Sequence, residues 1–276
     1  MNIDLIHKPD FEETRKRWRA FWAGEMIDRP CVCVTSMKDG AEPGPHYSGL
    51  HHPDKDPVAH VRAFDKCAES IYFAGDSVPC FNINFGPDAY AAFLGADMEF
   101  SFEQNTSWAI PFINDWDADT KGLDEPTGYW WDAILDFTRE TSKIADGRFL
   151  VGVIDLHSNM DCMAAARGVQ NLLFDLMDCP DKVESAHNRV RKTYTPIYNA
   201  LRRAGMQDKY GCSSWLPFYC EEKFAITECD FICMISPELS RRFVIPALEE
   251  EAEFLGHCCF HLDGPDAIVH LDDILP

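Results

Sequence analysis

The sequence predicts an α/β fold of the (β/α)8 TIM-barrel type, formed as a single domain over residues 1–276. The length of 276 residues is close to the size typical of such a barrel. Short apolar patterns typical of strands alternate with longer helical patterns, as expected for parallel strands joined by helical crossovers. Hydrophobic residues make up 46% and charged residues 26%, which is the balance of an ordinary globular protein.

Charge and cysteine usage limit the classes of partner. The 46 acidic against 25 basic residues give a net charge of -21, which repels phosphate backbones, so no nucleic-acid partner is expected. There is no run of 18 apolar residues, and residues 1–9 have no apolar signal core, so we expect no membrane partner. The 12 cysteines contain no CxxC pair and are expected to be reduced core residues of a cytoplasmic protein.

The first elements follow from capping and spacing signals. Asp10 with Glu13 resembles a capping box, and the aromatic residues that follow at helical spacing predict a helix that ends near Gly24. Later patterns predict, in order, a strand over 30–35, a helix over 60–72, a strand over 78–84 and a helix over 87–94.

Two stretches lack a clear period. Residues 38–57 are rich in glycine, proline and histidine and predict a loop. Its histidines could bind a metal, but their irregular spacing favours solvated side chains: His46, His51 and His52. Residues 97–126 hold many aromatic residues and turn formers, a composition typical of a functional loop or lid.

The second half continues the alternation. A helix near 129–145 precedes the apolar run 149–156, which predicts a parallel strand buried on both faces. A helix over 161–177 is followed by a long one that begins at Pro180. The remaining signals predict strands over 209–214, 228–235 and 257–262, a helix over 236–255 and a last helix from Pro265.

This count gives about six strands instead of the eight that a complete barrel needs. The chain also stops as a helix begins after the strand at 257–262. We therefore expect an incomplete, C-terminally truncated barrel with an N-terminal helix and a long irregular insertion. Its open apolar edge is exposed or is closed by formation of a homo-oligomer.

Candidate site residues come from the strand ends, where the chemistry of parallel barrels is located. Side chains alternate along a strand, so His261 and Asp263 share one face near the end of the strand at 257–262. An imidazole and a carboxylate at this spacing can bind one divalent metal or act as an acid/base pair. The alternative is a structural histidine held by a carboxylate.

The other strand ends supply further candidates. Asp155 and His157 share a face at the end of the strand over 149–156, although Asp155 could instead be a turn or cap residue. The amides of Asn82 and Asn84 suit hydrogen bonds to a substrate, and asparagine also favours turns. Two aromatic residues could form the wall of an apolar pocket or cover the core: Trp215 and Tyr219.

Several segments together resemble the uroporphyrinogen decarboxylase superfamily, in particular its decarboxylase-like and cobamide-dependent methyltransferase-like members. The resemblance covers nearly the whole chain from about residue 70 onward. It is carried by five pieces of sequence: 85–95 (FGPDAYAAFLG), 155–161 (DLHSNMD) with 166–173 (ARGVQNLL), 213–215 (SSW), 229–231 (CDF) with 236–237 (SP), and 260–264 (FHLDG). It implies a (β/α)8 barrel.

The resemblance implies two chemistries. Uroporphyrinogen decarboxylases carry an N-terminal motif of the type RQAGRY for substrate carboxylates, and the basic cluster over 15–19 has a different pattern. The methyltransferases bind zinc through a His-x-Cys strand end and a later cysteine. His261 matches that histidine, whereas Asp263 stands at the cysteine position, a change that favours a harder divalent ion.

The leading hypothesis is therefore metal-assisted methyl transfer between a corrinoid, bound by a partner protein, and a small-molecule acceptor. His261 and Asp263 would hold zinc or another divalent ion, and Asp155, His157 and Asn84 would line the site. One alternative is a cofactor-free decarboxylase (a lyase) that acts on a porphyrinogen or another carboxylated substrate. The other is a non-catalytic binding barrel or an inactive fragment.

Overall fold

The computed structural model describes residues 4–41 and 49–275 and shows an α/β protein in which helices account for about half of those residues. His46, one of the three loop histidines, lies outside the described residues. In the part of the chain that is described, no helix has the length and apolar character needed to cross a bilayer.

The helices agree with the sequence periodicity where it is strongest. The predictions of a first helix, a helix near 129–145 and a long helix from Pro180 are confirmed, and Pro196 lies inside the last of these. The α-helices are α1 (Phe11–Trp22), α2 (Pro57–Ala68), α3 (Ala89–Phe93), α4 (Tyr129–Ala145), α5 (Asn159–Arg167), α6 (Val169–Asp178), α7 (Pro180–Ala204), α8 (Gln207–Tyr210), α9 (Pro237–Phe243), α10 (Ile245–Leu255) and α11 (Leu271–Ile274). Short 3-10 helices span Asp119–Gly122, Asp230–Met234 and Pro265–His270.

Eight strands form four separate two-stranded pairs within the described ranges, and no closed barrel is found there. Two pairs are antiparallel and two are parallel. The antiparallel pairs are β1 (Cys33–Met37) with β2 (Ile71–Gly75) and β4 (Asp97–Ser101) with β5 (Thr106–Ile110). The parallel pairs are β3 (Cys80–Phe81) with β6 (Leu150–Val151) and β7 (Phe224–Glu228) with β8 (His257–His261).

Several predicted strands need correction. The prediction of a strand over 209–214 is wrong: α8 ends there, and only an isolated bridge joins Cys212 to Cys220. The strand predicted over 228–235 is displaced, because β7 ends at Glu228 and a 3-10 helix follows. The helix predicted over 60–72 ends early and gives way to β2, and the irregular excursion over 97–126 contains the hairpin of β4 and β5.

The parallel strands are packed within a continuous apolar core. Hydrogen bonds extend the β3–β6 pair beyond its short ladder, with the Gly152 N–H donating to Phe81 O (2.9 Å) and the Val153 N–H to Ser213 O (2.7 Å). The extended chain around Ser213 thus lies beside β6. Large apolar side chains from the helices and strands cover these segments, among them Phe81, Phe85, Tyr90, Phe93, Phe137, Phe149 and Phe224.

Helix α1 covers the end of the fold where β8 begins. The indole N–H of Trp18 donates to Asp76 O (3.0 Å), and that of Trp22 donates to Tyr219 O (2.8 Å). The Trp22 ring also stacks on His257, the first residue of β8, with ring centroids 4.8 Å apart. The carboxyl ends of β7 and β8 lie at the opposite end of these strands, away from α1.

Gly211 offers a test of how tightly the chain packs before the extended segment at 212–214. Its φ is +85°, and an added Cβ would lie 2.6 Å from the Tyr219 hydroxyl and 2.7 Å from Cys220 O. Gly147 has a similar φ of +73° but open space around the added atom. We expect Gly147→Ala to lower the free energy of unfolding by about 1 kcal/mol through backbone strain alone.

Gly211→Ala adds overpacking to the same backbone strain, so the loss should reach roughly 2–4 kcal/mol. Urea unfolding of both variants beside the wild type measures the difference. Equal losses for the two variants would contradict the tight packing described here.

Candidate functional site

Acidic and imidazole side chains meet at the carboxyl ends of the two parallel strand pairs. Asp155 and His157 follow β6, Glu228 is the last residue of β7, and His261 is the last residue of β8. The strand-end position that the sequence analysis used as its guide therefore brings together side chains from three separate segments.

His157 lies at the centre of a group of carboxylates. Its Nε2 atom is 3.5 Å from Asp155 Oδ2 and 3.5 Å from Glu228 Oε1, and its Nδ1 atom is 3.5 Å from Asp161 Oδ2. Only 12% of the imidazole surface is exposed. Both ring nitrogens therefore face acidic groups in a largely buried position.

This arrangement shifts the pKa values of the group in opposite directions. Burial opposes the charged form of His157, but hydrogen bonds to Asp155 and Asp161 and the charge of Glu228 outweigh it and raise the His157 pKa to about 11. Burial also opposes ionisation of Asp155, yet contacts with His157 and its other neighbours lower the Asp155 pKa. Burial and the adjacent Asp155 raise the pKa of Glu228 to about 9.

Asp161 connects His157 to the segment that follows β7. It lies in the first turn of α5, and its Oδ1 and Oδ2 atoms accept the backbone N–H groups of Phe231 (2.8 Å) and Asp230 (2.9 Å). These bonds satisfy donors at the start of the 3-10 helix that follows β7. The carboxylate that faces His157 thus also fixes the backbone of Asp230.

Trp215 closes one side of the cluster. Its indole N–H donates to Asp155 Oδ1 (3.1 Å), and its ring meets the ring of His261 edge-on with centroids 5.1 Å apart. From the sequence, Trp215 was a candidate for the wall of an apolar pocket or for a cover of the core. The structure brings it against Asp155 and His261, two of the strand-end candidates.

Two sets of three side chains have the spacing of metal ligands. Asp155, His157 and Glu228 form one set, and Glu228, Asp230 and His261 form the other, with potential ligand atoms within 4.8 Å of one another in each. The Glu228 side chain is 2% exposed. Glu228 Oε1 and Asp230 Oδ1 are buried and have no hydrogen-bond partner among the described residues. Carboxylate and imidazole donors with unused buried oxygens fit a divalent cation.

A cavity of about 650 Å³ opens beside the cluster. His157, Asp161, Asp230 and Asp88 contribute its polar lining, and burial raises the pKa of Asp88. No lysine or arginine is among the described lining residues. The rest of the wall is mainly apolar: Pro87, Trp108, Ala109, Pro111, Ala164, Ala165, Gly168, Val169, Phe231 and Met234.

Asp263, predicted as the metal-binding companion of His261, is in neither ligand set of the described chain. Its backbone carbonyl accepts a hydrogen bond from the thiol of Cys233 (2.9 Å). The pairing of His261 with Asp263 stays a prediction, while the geometry supplies His261 with Glu228 and Asp230 as neighbours.

The two asparagines have local partners. Asn84 Oδ1 accepts the backbone N–H of Gly86 (2.7 Å), which is the turn role that the sequence analysis left open. Asn82 Oδ1 lies 3.6 Å from the thiol of Cys80. Neither side chain lines the cavity beside the cluster.

Tyr219, the second aromatic candidate, lies in a different part of the fold. It is 1% exposed, its hydroxyl donates to Tyr210 O (2.9 Å), and its ring packs edge-on against Phe11 of α1. It lines a cleft near His257, at the beginning of β8. The structure therefore places it in the core beneath α1, apart from Trp215.

The loop histidines also need correction. His51 was expected to be solvated, but it is 1% exposed, and its Nδ1 accepts the backbone N–H of Asn84 (3.1 Å). His52 is partly covered, with its ring against Phe100 and Trp130. Burial is the main cause that lowers the pKa of His51 to about 4. These rings contribute to packing between the loop and the core.

Sequence reasoning missed Glu228 as a site residue. It was read as the first residue of a strand, whereas it is the last residue of β7. The same test of strand ends would have found it had the strand been placed over 224–228. Asp161 and Asp230 were not proposed as site residues from the sequence either, and both belong to the cluster.

Comparisons with known proteins show the fold only. No protein-family model matches the sequence, and a search of curated proteins found no match. The structure is similar to that of a methyltransferase from Methanosarcina mazei, with a TM-score of 0.61 over 95% of this chain and 72% of that chain. The two sequences are 13% identical, so the similarity concerns the fold.

The raised pKa of His157 gives a test of the cluster in metal-free protein. A histidine with a raised folded-state pKa stabilises the fold fully below its ordinary value of 6.5, and this stabilisation is lost as the pH rises toward about 11. We expect the difference in unfolding free energy between wild type and His157→Gln to shrink by at least about 1 kcal/mol over that range.

Urea unfolding of chelator-treated protein at several pH values measures this difference. Nuclear magnetic resonance of the His157 ring provides the direct control, since its resonances should not titrate between pH 5 and 9. A free-energy difference that stays constant from pH 6.5 to 10.5, with a ring that titrates near neutrality, would contradict the ion cluster.

Proposed function

We propose that this chain is a metal-assisted methyltransferase that moves a methyl group from a corrinoid, carried by a partner protein, to a small acceptor. The observation that carries the proposal is the set of imidazole and carboxylate donors at the strand ends, with buried oxygens that have no hydrogen-bond partner among the described residues. The similarity to the fold of a protein named as a methyltransferase supports the same reaction class.

The fold is proposed in finer terms as an open (β/α)8-type barrel of the uroporphyrinogen decarboxylase-like kind. Two parallel strand pairs and the extended chain at Ser213 are compatible with part of such a barrel. Their carboxyl ends carry the candidate site, as they do in parallel barrels generally. The sequence resemblance over most of the chain supports this assignment.

His261, Glu228 and Asp230 would hold the cation of this reaction. They come from β8, from the end of β7 and from the turn after it, so the fold brings them together without a flexible loop. A divalent cation bound there would lower the pKa of a coordinated acceptor and favour its nucleophilic form. Trp215, edge-on against His261, would restrict rotation of the imidazole ring.

The cavity favours an uncharged or weakly charged acceptor. Its wall is mainly apolar, the described lining residues include no lysine or arginine, and the histidine among them, His157, already faces three carboxylates. A carboxylated porphyrinogen would meet repulsion from Asp88, Asp161 and Asp230. Methyl transfer therefore fits this lining better than decarboxylation does.

Asp88 is proposed to accept the proton of the acceptor. Each transfer removes one proton from the acceptor and adds one methyl group, so the site needs a base. Asp88 lines the cavity and belongs to neither ligand set, and burial raises its pKa, which makes its carboxylate a better base. Its contact with the Ala109 N–H (2.9 Å) holds the side chain in place.

Metal analysis tests the binding step. We expect protein purified without chelator to contain a divalent metal, and His261→Ala to bind zinc at least about tenfold more weakly because one ligand is lost. His257→Ala is the matched control, since this histidine lies on the same strand but at its other end. Equal metal content and zinc affinity in all three proteins would rule out the metal role of His261.

An activity assay tests the reaction. With methylcobalamin as donor and a panel of small thiols as acceptors, wild type should form the thioether, and Asp88→Asn should lower kcat about 10²-fold or more because the base is removed. Conversion of uroporphyrinogen by metal-free protein, with no methyl transfer to any thiol, would instead favour the decarboxylase alternative.

A further inference from the structure

We propose that the cluster is a two-cation centre in which the carboxylate of Glu228 bridges two divalent ions. The inference deepens the proposed function, because it takes the cation held by His261, Glu228 and Asp230 as one of the two. It adds a second ion, held by Asp155, His157 and Glu228.

The geometry provides two sets of three potential ligands. Glu228 is the only residue common to both sets, and each set adds one histidine and one aspartate of its own. Neither set therefore has to give up its histidine for the other to be filled. A carboxylate shared by two sets is the arrangement that bridges ions about 3.5–4 Å apart in two-metal sites.

The half that contains His157 has its own support. Asp161 faces Nδ1 of His157, which leaves Nε2 directed at Asp155 and Glu228, each 3.5 Å away. A carboxylate on the far nitrogen of a ligating histidine fixes its tautomer and increases its basicity. Trp215 donates to Asp155 Oδ1, which leaves Oδ2 on the side of His157.

The half that contains His261 is tied to the first by the same groups. Asp161 accepts the backbone N–H of Asp230, and Trp215 contacts the His261 ring while it donates to Asp155. The residues that position one set of ligands thus position the other, so the two sets keep a fixed relative position.

Charge balance also favours two ions. Four carboxylates belong to the cluster or contact it directly, and the carboxylate oxygens Glu228 Oε1 and Asp230 Oδ1 are buried without a hydrogen-bond partner among the described residues. The four carboxylates are those of Asp155, Asp161, Glu228 and Asp230. With His157 bound to an ion as neutral imidazole, one divalent ion compensates two of the four formal charges, whereas two ions compensate all four and give both buried oxygens a cation to bind.

Manganese binding tests the inference directly. Chelator-treated wild type is titrated with Mn²⁺ by calorimetry, and the number of bound ions is checked by elemental analysis after gel filtration. We expect two Mn²⁺ per chain and an electron paramagnetic resonance spectrum with the splitting of two exchange-coupled ions. One Mn²⁺ per chain with an uncoupled spectrum would overturn the proposal.

Variants of each half identify the ligands. His157→Ala and His261→Ala should each bind one Mn²⁺ and lose the coupled signal. Glu228→Gln should lose the coupling and bind both ions with an affinity that is tenfold or more lower. His257→Ala should retain two coupled ions. Two coupled ions in His157→Ala would overturn the assignment. If a variant fails to show a cooperative thermal unfolding transition, the milder variant Asp155→Asn is measured in its place.

The outcome can be separated from that of the proposed function. A protein that binds two coupled ions but transfers no methyl group keeps the centre and loses the proposed reaction. A protein that transfers methyl groups with one bound ion keeps the reaction and loses the second ion.

Discussion

The site depends on one electrostatic constraint: several carboxylates are buried together and must be compensated. Asp155, Asp161 and Glu228 each lie 3.5 Å from a ring nitrogen of His157. The Glu228 and Asp161 side chains are 2% and 10% exposed, whereas that of Asp155 is 36% exposed. Buried acids that face one another are unfavourable unless a cation or a proton offsets them. Without a metal, the protein achieves this with a histidine of raised pKa and a glutamate whose pKa is also raised. A divalent cation would offset the same charges more completely, which is why the cluster fits a metal centre.

The surrounding fold keeps these acids in place. The strands of the parallel pairs β3–β6 and β7–β8 end in one region of the fold. Asp161, which follows β6, links the two pairs because it accepts two backbone N–H groups of the segment after β7. Because each acid has a second contact, removal of one would alter the position or pKa of the others. The apolar wall of the cavity increases this dependence, since it lowers the local dielectric.

The sequence predicted the α/β class, the long helices and part of the site, and its failures have physical causes. The stripe of apolar residues in α7 is local information, so this helix could be predicted from residues three and four apart. The turn after Glu228 depends on hydrogen bonds from Asp161, about 70 residues earlier, and no local pattern reveals them. The segment 228–235 was consequently predicted as a strand, and Glu228 was not recognised as a strand-end residue. Asp155, His157 and His261 were singled out as candidates because strand ends concentrate chemistry whatever the exact register.

The central claim is that the Glu228 cluster holds divalent cations, and anomalous diffraction tests it most directly. Crystals grown with Mn²⁺ and measured on either side of the manganese absorption edge should show anomalous density beside Glu228. We predict peaks within about 2.0–2.6 Å of carboxylate oxygens, one on the side of His157 and one on the side of His261. The absence of anomalous density there, with His157 still paired to its carboxylates, would contradict it.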